Sequence, residues 1–462
     1  MIKIKSKNFL FNLLIILLFV VYTFLNFSKL DIKELQGDEA SSLIAVIPAM
    51  KANQNFRFLG SIFLFGHVPL RGLVEIPFLY FFGLKEFWLY LPNVTASLGI
   101  FLINFLIMKK WFKRKTALIG SVFLAINGGI ILQRMIMGVG LFIFFNLLML
   151  YFFLSFLDTK KVSQYKKTLV FLFLAVLTYE EGIIAIPVIF YWLIKKRLWR
   201  QKKVTKYSIY FIISLLIFFG LWFLIPWIAY HLGYVSNLFD LGAFRIIKRS
   251  VGGFNLNISY IYVLLHHYNN LALTWIIIFG LGFSFWAKEA NFFWSFLILP
   301  LIYFSIIKDP TVHLYNYLSL IIIISSIGWK QLFKLKIFQK YELFLYFVLI
   351  IIAITNIFFL EKNYYLSKSY FIEGDWGPVF NIGLKAKAYE IREMTNICDL
   401  IYTDIEGSSA RLYFGRRYTE NPAEAKIIVL AKDIKKDNNQ TLLFNKKYSS
   451  FKNLMPYLTC YD

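Results

Sequence analysis

Acidic residues are scarce in this 462-residue chain: 26 Asp and Glu stand against 50 Lys and Arg, and all charged residues together make up 16%. With 59% hydrophobic and 20% aromatic residues and a mean hydropathy of +0.62, that is too little charge for the surface of an ordinary soluble domain. Cysteine is nearly missing as well, with only Cys398 and Cys460, so no disulfide framework is available beyond a single bridge. His266-His267 has no carboxylate beside it, and no ligand cluster with metal-site spacing is present, so no metal is assigned. The first apolar run, Phe9–Phe27, lacks a small-residue cleavage site after it and reads as a retained helix rather than a signal peptide. Internal repeats are absent.

What the chain does have is apolar runs long enough to cross a hydrocarbon core, among them Ile209–Ile228 and Leu343–Leu360. In lipid such runs must satisfy their own backbone, which makes them helices. Eleven candidate spans lie near 9–27, 87–108, 116–132, 138–157, 168–180, 182–194, 208–229, 272–287, 291–307, 314–328 and 343–360. The short pair around Tyr179-Glu180-Glu181-Gly182 forms one bent hairpin or a single long helix. The expected class is therefore an α-helical polytopic membrane protein.

The net charge of +24 suggests nucleic acid until it is placed along the chain. Alternate connections, starting from the N-terminus, hold 24 of the 50 basic residues on about 53 positions, with only Asp158, Glu289 and Glu342 as acids. That is the positive-inside pattern. It predicts a cytoplasmic N-terminus in a multi-pass protein of the cell membrane, and it makes a nucleic-acid partner improbable. On this topology Asp38, Glu39, Arg134, Glu180, Glu181 and His313 all lie outside.

Residues 1–360 read as the membrane domain and 361–462 as a separate, polar, extracytoplasmic one. In the latter, 399–404 and 425–433 read as buried strands, and 383–396 and 408–417 as helices, giving a small α/β domain. Both cysteines fall in it, as a disulfide or as two buried thiols.

The first outer loop, 28–86, carries the stretch LQGDEASSLI, with Asp38 and Glu39 side by side. Its apolar pieces 40–50 and 73–83 are too short to span and read as helices lying along the interface. Asp38 and Glu39 would head the first of them, where the positive helix end offsets part of their repulsion. Gly66-His67-Val68-Pro69-Leu70 follows, and then GLKEFWLYLPNVTASLG entering the second span.

An acidic pair soon after the first span, an His-x-Pro-Leu element and this entry to the second span together resemble the GT-C superfamily of membrane glycosyltransferases. The likeness is to bacterial relatives of protein O-mannosyltransferase and of lipid A aminoarabinose transferase. ALIGSVFLAINGGIILQR (117–134), with Arg134 at an outer turn, and LTYEEGIIAIPVIF (177–190) extend it over roughly 1–330. The resemblance implies a sugar donor on a polyprenyl phosphate, transfer with inversion, and an acceptor outside the cytoplasm. It also implies that Asp38 is the general base. The O-mannosyltransferase branch usually has an acid shortly after the arginine; here Met135–Gly140 has none, and Glu180 or Glu181 is the candidate replacement.

The chemistry of the residues fits. A hydroxyl acceptor must lose a proton as it attacks, which a fixed carboxylate can take, with Glu39 orienting Asp38 or the acceptor. The departing lipid phosphate needs a cation aimed at it, and the fork of Arg134 suits phosphate. His67, Glu180, Glu181, His313 and Tyr315 are candidate substrate contacts. Each has a plainer reading: a helix cap for Asp38, a snorkelling side chain for Arg134, a loop hydrogen bond for His67, an exposed turn for the glutamates, interface anchoring for Tyr315. Some GT-C enzymes use a divalent metal, which no cluster here supports. Two other classes remain open: a transporter or flippase of lipid-linked sugars, which would spread ionisable residues across the spans, and a non-catalytic membrane scaffold. The sequence fixes neither the sugar, nor the acceptor, nor the oligomeric state.

Overall fold

Apolar runs that leave water must close their own hydrogen bonds, and the described residues answer with helix almost throughout. The computed structural model describes residues 2–28, 30, 70, 73–129, 138–232, 261–262, 265–266, 269–304, 315–360, 384–394, 396, 399–403, 414, 417–418, 421–430 and 437–447. Within them α1 is Ile2–Phe27, α2 Ile76–Phe82, α3 Glu86–Ile126, α4 Val139–Thr159, α5 Val162–Thr178, α6 Ala185–Lys195 and α7 Lys202–His231. Then follow α8 Leu271–Ser284, α9 Asn291–Phe304, α10 Leu318–Leu332 and α11 Glu342–Leu360. Every apolar segment expected from the sequence contains helix. The segments 87–108 and 116–132 share α3, which breaks at Lys113 (φ 74°).

Among the described residues, fewer than eleven helices are long and apolar enough to cross a membrane. By length and composition, among the described residues, α3, α4 and Lys202–Ile228 of α7 qualify; α8 with Lys288–Tyr303, bent by 102°, would make a fourth. The stretches Phe11–Phe27, Leu318–Leu332 and Phe347–Leu360 are apolar but shorter. One cause is visible at 179–184, where a 3-10 turn (Glu180–Ile184) separates α5 from α6. Of the two forms expected for this segment, the break excludes the single long helix. Gly182 rests on the backbone of α5: an added Cβ would come within 2.8 Å of the Val176 nitrogen.

Small residues set the closest helix crossings. At Gly328 of α10 an added Cβ would stand 1.7 Å from the Gly280 carbonyl oxygen of α8, with Ser325 and Ser284 in the same seam. Without a hydrophobic drive between helices in lipid, such close backbone approach is what holds them together. Trp329 Nε1 adds a hydrogen bond to the Ile276 carbonyl (3.0 Å).

The basic connections gather at one end of the bundle. Trp111 Nε1 donates to Asp158 Oδ2 (2.6 Å), Lys330 pairs with Glu289 (3.2 Å), and the Lys330 ammonium lies 5.7 Å from the Phe112 ring centre. Burial pushes the Glu289 carboxyl up, but the Lys330 hydrogen bond, its own backbone and the charges of Lys330 and Lys334 outweigh that and hold it below its ordinary value. The turns here are tight enough that Lys113, Lys160 and Arg197 all adopt positive φ (74°, 56° and 55°), at a cost of roughly 1–2 kcal/mol each for a residue with a Cβ. Glycine would fit these turns with less strain, but it carries no charge to mark the loop.

Past α11 the expected elements form in part. α12 is Leu384–Met394; β1 (Leu400–Thr403) pairs in parallel with β2 (Arg417–Tyr418) and with β3 (Ile427–Val429), in the order β2-β1-β3; α13 is Asn438–Lys447. The helix expected over 408–417 is corrected at its end. Arg417 and Tyr418 are strand, because β1 offers them an open edge at Leu400 and Ile401. Cys398 and Cys460 lie outside the described residues. Lys385 of α12 forms an ion pair with Glu86, the first residue of α3, and both side chains are almost wholly buried.

Candidate functional site

Opposite the basic end, the helix termini are joined by polar side chains buried among apolar ones. Groups of this kind are costly in a membrane protein unless they hydrogen-bond, so they concentrate where something must be held or bound. Three clusters form this end.

The first ties α1 to α3. Tyr22 Oη donates to the Ser97 carbonyl (3.2 Å) and lies 2.5 Å from Ser97 Oγ; Ser97 Oγ donates to Asn26 Oδ1 (3.0 Å). Asn26 Nδ2 in turn donates to the Tyr22 carbonyl (2.8 Å). All three side chains are buried.

The second binds the C-terminal end of α3 to α8 and α11. Asn356 Nδ2 donates to the Ile126 carbonyl (2.7 Å) and to Asn269 Oδ1 (3.3 Å), and that same Oδ1 accepts from the Gly128 amide (3.0 Å). Asn356 Oδ1 accepts from the Asn270 amide (2.7 Å), while Asn270 caps α8 through the Leu273 amide (2.8 Å). Asn269 and Asn356 are fully buried.

The third joins the turn between α5 and α6 to the start of α10. Glu181, buried, accepts from Asn316 Nδ2 at 2.5 Å. Asn316 and Ser319 line a cavity of about 30 Å³ with Asn146 and Tyr317, room for about one or two water molecules. Asn316 Oδ1 and Ser319 Oγ are buried without a hydrogen-bond partner among the described residues.

Of the site residues expected from the sequence, Glu181 falls in this third cluster. Glu180 stands beside it, half-buried, at the head of the same turn. Tyr315 opens the 3-10 turn 315–317 that carries Asn316. Asp38, Glu39, His67, Arg134 and His313 lie outside the described residues. The clusters nonetheless flank their positions in the chain: Asn26 precedes Asp38 by twelve residues, Gly128 precedes Arg134 by six, and His313 precedes Asn316 by three. The sequence reading passed over Asn26, Asn269, Asn316 and Asn356. A signal was present, since an amide inside an apolar run is costly in the same way as the ionisable residues that were weighed. No group of three or more His, Cys, Asp or Glu converges among the described residues.

The fold matches ArnT from Cupriavidus metallidurans in the apo state, with a TM-score of 0.58 at 14% identity over 90% of this chain and 86% of that one. ArnT from the same organism bound to undecaprenyl phosphate matches at 0.59, with 13% identity over 93% and 87%. The chain has the GT-C fold. The archaeal oligosaccharyltransferase AglB from Archaeoglobus fulgidus, in complex with an inhibitory peptide and a dolichol-phosphate, shares this fold at a TM-score of 0.56 and 11% identity, over 96% of this chain and 69% of that one. In sequence, the model of the dolichyl-phosphate-mannose-protein mannosyltransferase family matches residues 69–230, from just before α2 into the last turn of α7. Comparison with curated proteins by sequence finds no match.

Proposed function

We propose that this GT-C chain is a glycosyltransferase of the cell membrane that moves a hexosyl or pentosyl group from a polyprenyl-phosphate carrier to an extracytoplasmic lipid, glycan or protein. The observation that supports this most is the agreement of two independent comparisons. The fold is similar over 93% of the chain to a structure holding undecaprenyl phosphate, and a lipid-phosphate-sugar-dependent transferase family matches by sequence through 69–230.

In the proposed reaction the acceptor hydroxyl attacks the anomeric carbon from the face opposite the phosphate. Its proton passes to the Asp38 carboxylate, the new glycosidic C–O bond forms, and the C–O bond to phosphate breaks with its electron pair leaving on the lipid phosphate. The result is inversion. Glu39 orients Asp38 or the acceptor, and Arg134 meets the developing phosphate charge with two parallel N–H donors. His67, Glu180, Glu181, His313 and Tyr315 are assigned to the substrate cavity. In this reading residues 1–360 are the catalytic membrane domain, with the N-terminus cytoplasmic and 361–462 outside.

The test is a purified preparation in nanodiscs, given undecaprenyl-phosphate sugars and an envelope extract as acceptor. Release of free undecaprenyl phosphate, dependent on the extract, is the expected outcome. Passage of intact lipid-linked sugar across a vesicle membrane without cleavage would replace the enzyme by a transporter. Neither release nor passage would leave a scaffold.

A further inference from the structure

Far from the polar end, where α7 begins, a groove of about 450 Å³ opens on the surface, lined by Trp199, Arg200, Lys202, Thr205, Lys206 and Tyr210, with Ile209 below. The turn that forms it is firmly built. Leu198 is buried, the Gln201 amide donates to its carbonyl (3.1 Å), and Thr205 Oγ1 donates to the Trp199 carbonyl (2.6 Å). Arg200, Lys202 and Lys206 are exposed and have no acidic partner among the described residues; Arg200 lies 5.9 Å from the Trp199 ring centre and Lys206 5.5 Å from that of Tyr210. No Asp or Glu occurs anywhere from Gly182 to Phe239. The neighbouring α5 adds more positive charge, with Lys166 over the Tyr207 ring at 4.4 Å.

Below the cations the same face changes character in order. Trp199 and Tyr210 are half exposed, the position and residue types of an interfacial belt. Ile209, Ile213, Leu216 and Ile217 then continue along α7 as exposed aliphatic side chains. Cations, aromatic belt and aliphatic track in that sequence match a phospholipid's phosphate, glycerol region and acyl chains. A free phosphate or nucleotide would use the cations and leave the track idle.

We propose that this groove is a binding site for an anionic phospholipid of the adjoining leaflet, its phosphate held by Arg200, Lys202 and Lys206 and one acyl chain lying along Ile209, Ile213 and Leu216. Juxtamembrane basic residues gain about 1 kcal/mol each from an anionic lipid surface; gathering three in one groove turns that diffuse attraction into a site. The site is independent of the sugar-transfer reading.

The experiment is native mass spectrometry of protein released from nanodiscs of mixed phosphatidylglycerol and phosphatidylcholine. The variant Arg200→Gln/Lys202→Gln/Lys206→Gln is compared with Lys195→Gln/Lys196→Gln/Lys288→Gln, which removes equal charge from exposed positions outside the groove. Retained phosphatidylglycerol should fall by about tenfold or more in the first and stay near wild type in the second, with inorganic phosphate failing to compete. Equal losses in both variants would reduce the groove to part of a diffuse basic surface and overturn the proposal. No loss in the first variant would overturn it as well, and displacement by inorganic phosphate would make it a phosphate site rather than a lipid site. Matched thermal midpoints in phosphatidylcholine alone show that both variants are folded.

Discussion

A carboxylate that takes a proton during glycosyl transfer differs from one that caps a helix in a single respect: its basic oxygen. Asp38→Asn keeps size and hydrogen bonding and removes that oxygen, so turnover is expected to fall by about two to four orders of magnitude with donor affinity little changed. Near-normal turnover would return Asp38 to a capping role. Glu39→Gln should be milder, shifting acceptor dependence more than maximal rate. Arg134→Ala should lose most activity and Arg134→Lys recover only part, since an ammonium lacks the planar fork; full activity in a normally expressed Ala variant would assign Arg134 to snorkelling. At Asn316, replacement by Leu leaves the Glu181 carboxylate without its 2.5 Å donor inside the bundle. Loss of a hydrogen bond to a buried charged group costs about 1.5–3 kcal/mol. A thermal midpoint unchanged from wild type would show that Glu181 does not depend on this contact.

At the scale of helices, close packing decides. Gly328→Ala should destabilise by about 1–3 kcal/mol or more, because α10 must withdraw from the Gly280 carbonyl. Gly220→Ala, on a face of α7 with nothing within 4 Å, should be neutral or gain up to about 1 kcal/mol of helix propensity. Thermal unfolding of both in one detergent gives the comparison, and equal effects would deny the α8–α10 seam its role. The same elements show what a sequence can reveal. The apolar runs announced themselves because hydropathy alone selects them. The strands at 400–403 and 427–429 were legible from their apolar pattern, whereas Glu180-Glu181-Gly182 left a bent hairpin and a single long helix both open until the turn between α5 and α6 decided it. Asn316 and Asn356 were not legible as anchors, because their partners lie 135 and 230 residues away in sequence. Arg417 likewise reads as helical in its local context and becomes strand only when β1 is placed beside it.

For the molecule as a whole, topology is the testable property. Single cysteines at Lys33 and Asn439, labelled in intact cells by a membrane-impermeant thiol reagent after replacement of the native pair, are both expected to react. Labelling of one alone would defeat the odd-crossing topology. The C-terminal part of the chain is also bound to the membrane helices, through the Glu86–Lys385 pair between α3 and α12. Lys385→Met should cost about 3–5 kcal/mol by removing the cation that faces a buried carboxylate, whereas Lys385→Met combined with Glu86→Leu should recover much of it. A double variant as unstable as the single one would show that the pair is not coupled.

That pair also sets an order of events during synthesis. Glu86 and Lys385 are separated by 299 residues, so at about 5–20 residues per second the ribosome needs roughly 15–60 s to supply the lysine after the glutamate has emerged. Throughout that interval α3 can be inserted and packed against its neighbours, yet its first residue has still to meet Lys385. The corner between α3 and α12 is therefore completed only near the end of translation. A message truncated between α11 and α12 yields a chain that carries α1 through α11 but lacks the pair that closes this corner.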